Sequence, residues 1–334
     1  MIMSRLAARP ILLVVGLFLA LGLPWMVYPP VALDIACWAL FAVAVDILLG
    51  FTGLLSFGHA AFWGGSAYCT GLIAVHTGVP FPLAILGGSA FAAALAVPIG
   101  LLSVRLRGIY FAMVTLAFAQ MVYFVANQWR DATGGENGLQ GIPRDFFGMD
   151  LSDPFFFYYA GLPFVLIGLF VAWRIVRSPF GRVLVSIRDN PSRARALGYP
   201  VDRYKLLAFV LSAALAGLAG GLFAIGHGFA SLQEVYWTTS GTAVMMVVLG
   251  GIGTLWGGVV GALLIVQLRD YLATAGFKEI DLVTGTIFIL VVLLFRKGIW
   301  GTAQALLAKR KSRRLEPAPA EASAKTPAEA PTPR

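Results

Sequence analysis

The chain has 334 residues, of which 59% are apolar and 12% are charged, and its net charge is +9. Because soluble domains carry charge on about a quarter of their residues, this composition excludes an ordinary soluble protein and predicts a polytopic membrane protein. The positive charge does not indicate nucleic-acid binding, since the basic residues cluster between apolar runs, where they mark membrane topology.

Ten apolar runs occupy most of the chain, and about 20 apolar residues are enough for a helix to cross a bilayer. The runs predict an all-α protein with about ten (8–10) transmembrane segments, because short or glycine-broken runs are typical of re-entrant segments. We interpret the first run as an uncleaved helix, since no clear small-residue cleavage site follows it. The runs lie at residues 11–28, 31–50, 54–75, 82–104, 108–127, 155–176, 205–228, 238–250, 256–274 and 282–296.

The distribution of lysine and arginine predicts the orientation, because these residues accumulate on the cytoplasmic side of a membrane. If the ten runs alternate in direction and Arg5 and Arg9 lie in the cytoplasm, 21 of the 25 basic residues are cytoplasmic. We therefore expect both termini to be cytoplasmic. The four exceptions are Arg130, Arg144, Arg269 and Lys278.

The segments between the runs define the domain organisation. The longest external segment, at about 128–154, contains TGGENGLQGIP at 133–143, which is dense in turn-forming residues. The largest internal loop covers 177–204. The last part of the chain is basic and then rich in proline and alanine, a composition that cannot bury a core. We divide the chain into a transmembrane domain at 1–308 and a disordered tail at 309–334.

Two short segments suggest an internal repeat. LGFTGLL at Leu49–Leu55 and LGGIGTL at Leu249–Leu255 share the pattern L-G-x-x-G-x-L. Transporters are often built from duplicated halves, with glycine-interrupted segments at matching positions near the substrate path. Chance similarity between glycine-rich membrane turns is the alternative, and the sequence leaves both interpretations open.

Acidic residues and cysteines within the runs have simple interpretations. Asp34 and Asp46 lie in the second run, where an ionisable residue is costly and often functional. Both are near the ends of the run, so we expect them to reach water at the membrane interface. Cys37 and Cys69 lie in apolar runs and are interpreted as packing residues. CxxC and HExxH patterns do not occur, and we expect no metal or other cofactor.

Ser56 and His59 are three residues apart and would share one face of a helix, with Asp46 the nearest acidic residue in sequence. A membrane-embedded enzyme would need such a pair with an orienting acid. The surrounding glycines, among them Gly53 and Gly58, instead favour a closely packed or broken segment in which His59 hydrogen-bonds across helices. The sequence also lacks the phosphate-binding GxxxxGK[ST] motif. We predict no catalytic residues in this chain and no ATP hydrolysis by it.

The internal loop contains a short helix with recognisable caps. Asn190 can cap its N terminus, Pro191 suits its first turn, Gly198 suits its C-terminal end and Pro200 lies just beyond. An isolated helix of about two turns is only marginally stable in water, so we expect this one to dock on another part of the structure or on a partner protein. An ordinary positive-inside loop explains the charges of this segment but not the caps. The basic face of the helix would consist of Arg188, Arg193 and Arg195.

Four stretches of the chain are typical of one family. They are GFTGLLSFGHAAFWGGSAY (50–68), LRGIYFAMVTLAFAQ (106–120), TGGENGLQGIP (133–143) and GRVLVSIRDNPSRARALGYPVDRYKLLAFVLSAALAGLAGGL (181–222), with a weaker fifth, VLGGIGTLWGGVVGA (248–262). In these stretches the chain resembles the LivM-like permeases, the transmembrane subunits of branched-chain amino-acid ABC importers. Together the stretches span most of residues 45–275.

The resemblance implies a permease subunit of a binding-protein-dependent ABC importer, which translocates branched-chain or other hydrophobic amino acids by ATPase-driven alternating access. It also implies a multi-pass location in a bacterial inner membrane. The implied partners are a second, related permease subunit, two cytoplasmic ATP-binding subunits, an external substrate-binding protein and membrane lipid. Nucleic acid is not among them.

The resemblance further implies three functional segments. A coupling helix that sits in a groove of the ATPase comprises Asn190, Pro191, Arg193, Ala194, Arg195, Ala196, Leu197 and Gly198. Glycine-rich segments beside the translocation path contain Gly53, Ser56, Gly58, His59, Gly250 and Gly253. An external loop, which would face the binding protein or gate the outer mouth, contains Thr133, Gly134, Gly135, Gly138 and Gly141.

The substrate is less closely defined by the resemblance than the transporter class. The family varies in SLGHAAFF-like segments, and Ser56, Phe57 and Trp63 form one version here. Related permeases are associated with urea and short amides, so a urea or short-amide ABC permease is the alternative. A membrane-embedded enzyme that uses Ser56 and His59 is the remote alternative.

Overall fold

The computed structural model describes residue 16, residues 20–294 and residues 298–302. Most of the first predicted run, at 11–28, and all of the predicted tail, at 309–334, therefore lie outside the described residues. Within the described part, helices dominate and the strands are only two residues long. The expected all-α class is confirmed.

Long helices form the body of the structure. They are α1 (Pro29–Thr52), α2 (His59–Thr77), α3 (Phe81–Ser103), α4 (Ile109–Gln128), α6 (Pro154–Arg177), α9 (Val201–His227), α11 (Trp237–Gly250), α12 (Trp256–Thr274) and α13 (Ile280–Leu294). Shorter elements connect them. They are α5 (Arg130–Thr133), a 3-10 turn (Gly135–Asn137), β1 (Leu139–Gln140), β2 (Asp145–Phe146), β3 (Met149–Asp150), α7 (Pro179–Asp189), α8 (Pro191–Ala196), β4 (Phe229–Ala230) and α10 (Leu232–Val235).

Among the described residues, six helical segments are long and apolar enough to cross a membrane: α1, α3, α4, α6, α9 and the segment that begins with α13. A polytopic membrane protein is thus confirmed, whereas the predicted count of about ten spans is not. Helices α2 and α12 have 19 residues each and would reach about 28 Å, but glycines and polar residues lower their apolar character. Helix α11 has 14 residues, which is short for a complete span.

Helix α1 lies at the centre of the bundle and is mostly buried between α6, α9 and α12. Helix α9 packs against α1, α2 and α3, and its small residues permit this: a Cβ at Gly220 would collide with the backbone of Trp63 on α2. The peripheral helices α3, α4 and α6 instead expose large apolar side chains, such as Leu102, Phe124 and Phe170. Faces of this kind are suited to lipid or to another membrane subunit.

The two ends of the bundle differ in structure. At one end, β1 pairs antiparallel with β4, which joins the loop after α4 to the C-terminal end of α9. A hairpin of β2 and β3 belongs to the same loop. At the opposite end lie α7, α8, the C-terminal end of α1 and the loop between α11 and α12. We call these the outer and inner ends, after the orientation that the basic residues predict.

Candidate functional site

The short helix α8 has the caps that the sequence predicts. The Asn190 side-chain oxygen accepts a hydrogen bond from the Arg193 backbone N–H at 2.9 Å, and proline occupies the first turn. At the other end, the Gly198 N–H donates to the Arg195 carbonyl at 3.0 Å and the Tyr199 N–H donates to the Ala194 carbonyl at 3.2 Å. With Gly198 at φ 87°, this is a Schellman motif, so both ends of α8 are fixed by its own sequence.

The two faces of α8 have different surroundings. Ala194 is buried and packs in a small apolar cluster with Ile187 and Val201, so this residue anchors the helix to the rest of the chain. The exposed side contains Arg193, Ser192, Arg195 and Ala196, and Leu197 at the end of the helix is 71% exposed. A docking partner would therefore contact these residues rather than Ala194.

An open groove of about 710 Å³ runs beside α8 at the inner end. Phe180 of α7 and Tyr204 of α9 stack in its wall with ring centroids 5.5 Å apart. Leu197 and Tyr199 also line the groove. An exposed short helix next to an apolar groove provides a surface on which another protein can dock.

Arg188 lies at a different place from the one that its position in sequence suggests. We expected it on the basic face of the short helix, but its Nη1 donates to the Gly50 carbonyl at 2.6 Å. Its Nε and Nη2 both donate to the Asp189 carboxylate at 3.1 Å. The side chain also lies against Gly53, where a Cβ would come within 2.8 Å of the Arg188 Cγ. The guanidinium therefore joins the segment before α8 to the C-terminal end of α1.

Asp46 ties the same end of α1 to the loop between α11 and α12. Its Oδ1 accepts from the Gly253 N–H at 2.8 Å and its Oδ2 accepts from the Leu255 N–H at 3.2 Å. The expectation that Asp46 reaches water is wrong, because its side chain is fully buried. Burial is tolerated because both carboxylate oxygens receive backbone hydrogen bonds.

The two L-G-x-x-G-x-L segments meet at this point. A Cβ at Gly50 would collide with the backbone of Gly253 and with the Asp46 carboxylate, so glycine is needed for the close approach. We call Asp46, Gly50, Arg188, Gly253 and Leu255 the inner junction. Gly250 lies beside it, against the backbone of Gly257, and serves packing between α11 and α12.

Residues 53–58 form a non-helical segment inside the bundle. The Nε2 of His59, the first residue of α2, lies 2.8 Å from the Ser212 Oγ, and that hydroxyl donates to the Ala44 carbonyl of α1 at 2.5 Å. His59 is therefore at the same depth in the bundle as Ala44. Ala44 lies about 12 Å from the last residue of α1, so α2 begins well inside the bundle. Non-helical backbone at membrane depth occurs where it is buried in protein or lines a cavity.

Most polar groups of this segment are hydrogen-bonded, whereas the His59 Nδ1 is buried without a partner among the described residues. The Ser56 Oγ accepts from the Gly58 N–H at 3.2 Å, and the Thr115 Oγ1 of α4 accepts from the Phe57 N–H at 3.3 Å. His59 is fully buried and bonded across helices to Ser212. This geometry agrees with the packing interpretation of His59, while Asp46, the acid nearest in sequence, is bonded to backbone at the inner junction.

The predicted external loop is a well-defined structure at the outer end. The Thr133 Oγ1 donates to the Ala126 carbonyl at 2.6 Å and accepts from the Gly135 N–H at 3.2 Å. The loop rests on α2 at Gly71, where a Cβ would come within 2.7 Å of Leu139 and Ile142. Positive φ angles, from 59° to 74°, are found at Gly134, Gly135, Gly138 and Gly141.

Arg144 fixes this loop to α9, a role that the sequence did not indicate. Its Nε and Nη2 donate to the carbonyls of Ile225 and Gly226 at 3.2 and 2.6 Å, at the C-terminal end of α9. Helix ends leave such carbonyls without partners, and a cation is favoured there. In the sequence, the one signal for such a role was that Arg144 is not among the basic residues predicted to be cytoplasmic.

The fold and these sites together define a membrane transport protein: a bundle of apolar helices with glycine-rich, non-helical backbone inside it and a capped helix exposed at one end. The sequence model of the family described as "Branched-chain amino acid transport system / permease component" matches residues 30–295. The chain belongs to this family.

Comparison with individual proteins supports the assignment. The chain is 32% identical over 320 residues to the high-affinity branched-chain amino acid transport system permease protein LivM of Escherichia coli (strain K12), covering 87% of this chain and 75% of LivM. LivM of Salmonella typhimurium is 32% identical over 316 residues, covering 85% and 73%. The autoinducer 2 import system permease protein LsrC of Klebsiella pneumoniae is 36% identical over 151 residues, 42% of each chain. No solved structure matches the chain.

Proposed function

We propose that this chain is the transmembrane permease subunit of a binding-protein-dependent ABC importer for branched-chain or other hydrophobic amino acids. The observation on which the proposal rests is the inner junction, which links the exposed helix α8 to the glycine-rich ends of α1 and α11. The similarity to LivM over 87% of the chain supports the substrate class. The match to LsrC covers 42% of the chain, so it carries less weight for the substrate class than the match to LivM.

The proposed mechanism is alternating access driven by partner ATPases. Helix α8, with Arg193, Ala196 and Leu197 outward, docks on a cytoplasmic ATP-binding subunit as the coupling helix. Displacement of α7 and α8 then acts through Arg188 on Gly50 and through Asp46 on Gly253. ATP binding shifts the population between two packings of the bundle because the ATPases bind the two states differently.

The size of the linkage fits this role. Three hydrogen bonds of the inner junction connect different elements, and each has one charged group. Arg188 donates to the Gly50 carbonyl, and the Asp46 carboxylate accepts from the N–H groups of Gly253 and Leu255. Such bonds are each worth about 1.5–3 kcal/mol. Shifting a two-state equilibrium from 1:99 to 99:1 requires about 5.5 kcal/mol, so the junction can transmit a change of the required order.

The proposed assembly places each end of the bundle against a different partner. Two ATP-binding subunits lie on the cytoplasmic side, where both termini of this chain also lie. A substrate-binding protein contacts the outer loop that contains Thr133 and Gly138. The exposed apolar faces of α3, α4 and α6 contact lipid and a second, related permease subunit, which completes the translocation path beside Gly53, Ser56, Gly58, His59, Gly250 and Gly253.

Reconstitution tests the proposal directly. The chain is placed in liposomes with its partner subunits and the external binding protein, and uptake of radiolabelled leucine, urea and acetamide is measured with and without ATP. We expect ATP-dependent leucine uptake by the complete assembly and none by the chain alone. Leucine uptake by the chain alone would contradict an ABC mechanism, and a preference for urea or acetamide would contradict the substrate class.

A further inference from the structure

Glu234 is a buried acidic residue at mid-height in the bundle. It is 8% exposed and belongs to α10, which continues into α11 after a break at Tyr236. Its carbonyl carbon and the Val235 N–H lie against Gly64, where a Cβ would come within 2.8 and 2.6 Å of the Glu234 and Val235 backbones. Gly64 follows Trp63, whose ring lies 4.6 Å from that of Phe41, near the midpoint of α1. Glu234 thus lies at the depth where transporters with broken helices bind substrate.

The carboxylate of Glu234 is only half satisfied. Its Oε1 accepts from the Ser231 hydroxyl at 3.3 Å, while its Oε2 is buried and has no hydrogen-bond partner among the described residues. The imidazole of His227 is already engaged, because its Nε2 lies 2.7 Å from the Asp34 carboxylate. An unpaired carboxylate at membrane depth is costly and is typical of a functional site.

A second unpaired polar group faces the same region. The Tyr68 hydroxyl is buried without a partner among the described residues, on helix α2, which packs with α4 against α10. Tyr68 lies one helical turn after Gly64 and one before Gly71, on the face of α2 that meets α10 and the outer loop. Within the described part of the chain, two buried groups that lack partners therefore lie on neighbouring elements beneath the loop.

Aromatic rings form the edge of this region. Tyr123 and Tyr236 are half-buried, and their ring centroids are 5.3 Å apart. Tyr236 occupies the break between α10 and α11. Aromatic faces attract cations, most strongly where water is excluded.

We propose that Glu234 and Tyr68, bordered by Tyr123 and Tyr236, bind the ammonium group of the transported amino acid inside the bundle. A primary ammonium carries a positive charge and three donors, which suit the unpaired carboxylate oxygen, the tyrosine hydroxyl oxygen and an aromatic face. A neutral amide would bring no positive charge to favour the ionised form of the buried Glu234 carboxyl group. This inference rests on the proposed function, because the ammonium group is that of an amino-acid substrate.

Binding and transport by the assembled complex test the inference. Binding of radiolabelled leucine to the purified complex, without the external binding protein, is measured with 3-methylbutylamine or 4-methylpentanoate as competitor. These are leucine without its carboxylate and leucine without its ammonium. We expect the amine to compete and the acid not to compete. Equal competition by the acid would overturn the inference.

Substitutions separate binding from folding. For Glu234→Gln, we expect leucine binding to weaken about 10- to 100-fold and uptake to fall correspondingly, since a charge-assisted interaction is lost. Tyr68→Phe should weaken binding by about two- to tenfold. ATP hydrolysis by both variants should remain within about twofold of the wild type, because the inner junction and α8 are unchanged. Glu279→Gln, an exposed glutamate at the outer end, is the matched control and should behave as wild type.

The outcomes distinguish this inference from the proposed function. Wild-type leucine uptake with unchanged binding in Glu234→Gln overturns the ammonium site and leaves the importer intact. Loss of both uptake and ATP hydrolysis in Glu234→Gln also overturns it, because Glu234 would then be structural. Absence of ATP-driven leucine uptake in the wild-type assembly contradicts the proposed function itself.

Discussion

The inner junction and the Glu234 region use buried charge in opposite ways. At the inner junction, both oxygens of Asp46 receive backbone hydrogen bonds, and the guanidinium of Arg188 is bonded to Gly50 and Asp189. In the Glu234 region, one carboxylate oxygen and the Tyr68 hydroxyl are buried without partners in the described structure. A satisfied set of bonds stabilises one arrangement of helices, whereas unsatisfied groups have capacity for a ligand. The contrast separates a mechanical linkage from a binding region.

Breaking the mechanical linkage should have the largest effect. Arg188→Met removes the hydrogen bond to Gly50 but keeps the length of the side chain. We expect leucine uptake by the reconstituted complex to fall at least about tenfold while ATP hydrolysis persists, because α8 still docks but no longer moves α1. Uptake and ATP hydrolysis are measured on the same proteoliposomes.

The matched control for this variant is Arg174→Met, an exposed arginine near the inner end of α6. It removes the same charge from the same side of the membrane, and we expect uptake within about twofold of the wild type. Equal losses of leucine uptake in the two variants would mean that transport depends on the net positive charge of the inner end rather than on the hydrogen bond to Gly50.

The two faces of α8 provide the next comparison. Ala194→Arg places a charged, longer side chain in the apolar cluster with Ile187 and Val201, so it should destabilise the protein by about 2–5 kcal/mol. Ala196→Arg changes an exposed residue and should leave the melting temperature unchanged while weakening association with the ATP-binding subunits. Thermal unfolding and co-purification measure the two effects. A melting temperature that falls equally in both would contradict the assignment of an anchoring and a docking face.

Local sequence signals predicted the elements that depend on local geometry. Asn190, Pro191 and Gly198 fix the ends of α8 through residues within a few positions of each other, and the structure has the predicted caps. The shared L-G-x-x-G-x-L pattern singled out two segments that meet in the structure, but the sequence left open whether they form a repeat and did not predict their contact. These features could be found because each is set by backbone conformation close in sequence.

Features that depend on distant partners could not be predicted in this way. Asp46 looked interfacial because it is near the end of an apolar run, but the N–H groups of Gly253 and Leu255 lie more than 200 residues away and make its burial possible. Glu234 lies between two apolar runs and so resembled part of a loop. Only the packing of Gly64 against α10 places it inside the bundle. The predicted number of spans is not confirmed for a related reason, since glycine-rich helices such as α2 are accommodated by their neighbours and are less apolar than a typical span.

Glycine at the contact between the two L-G-x-x-G-x-L segments should have a smaller, structural effect. In Gly50→Ala the new Cβ meets the Gly253 backbone, so we expect a loss of about 1–3 kcal/mol in stability. Gly241→Ala is the control, because a Cβ there meets nothing within 4 Å on a helix and should be neutral or stabilising by up to about 1 kcal/mol. Thermal unfolding of the purified chain measures both. Equal stability of the two variants would contradict the close contact of the two L-G-x-x-G-x-L segments.

The orientation of the two regions can be tested by cysteine labelling. In a background in which Cys37 and Cys69 are replaced by alanine, Gln140→Cys should react with a membrane-impermeant maleimide added outside intact cells. Arg195→Cys should react only after the membrane is opened, because the basic residues of the loop around α8 predict that it lies in the cytoplasm. The reverse pattern would put the inner junction on the side of the binding protein. It could then not transmit motion from a cytoplasmic ATPase, whatever its hydrogen bonds.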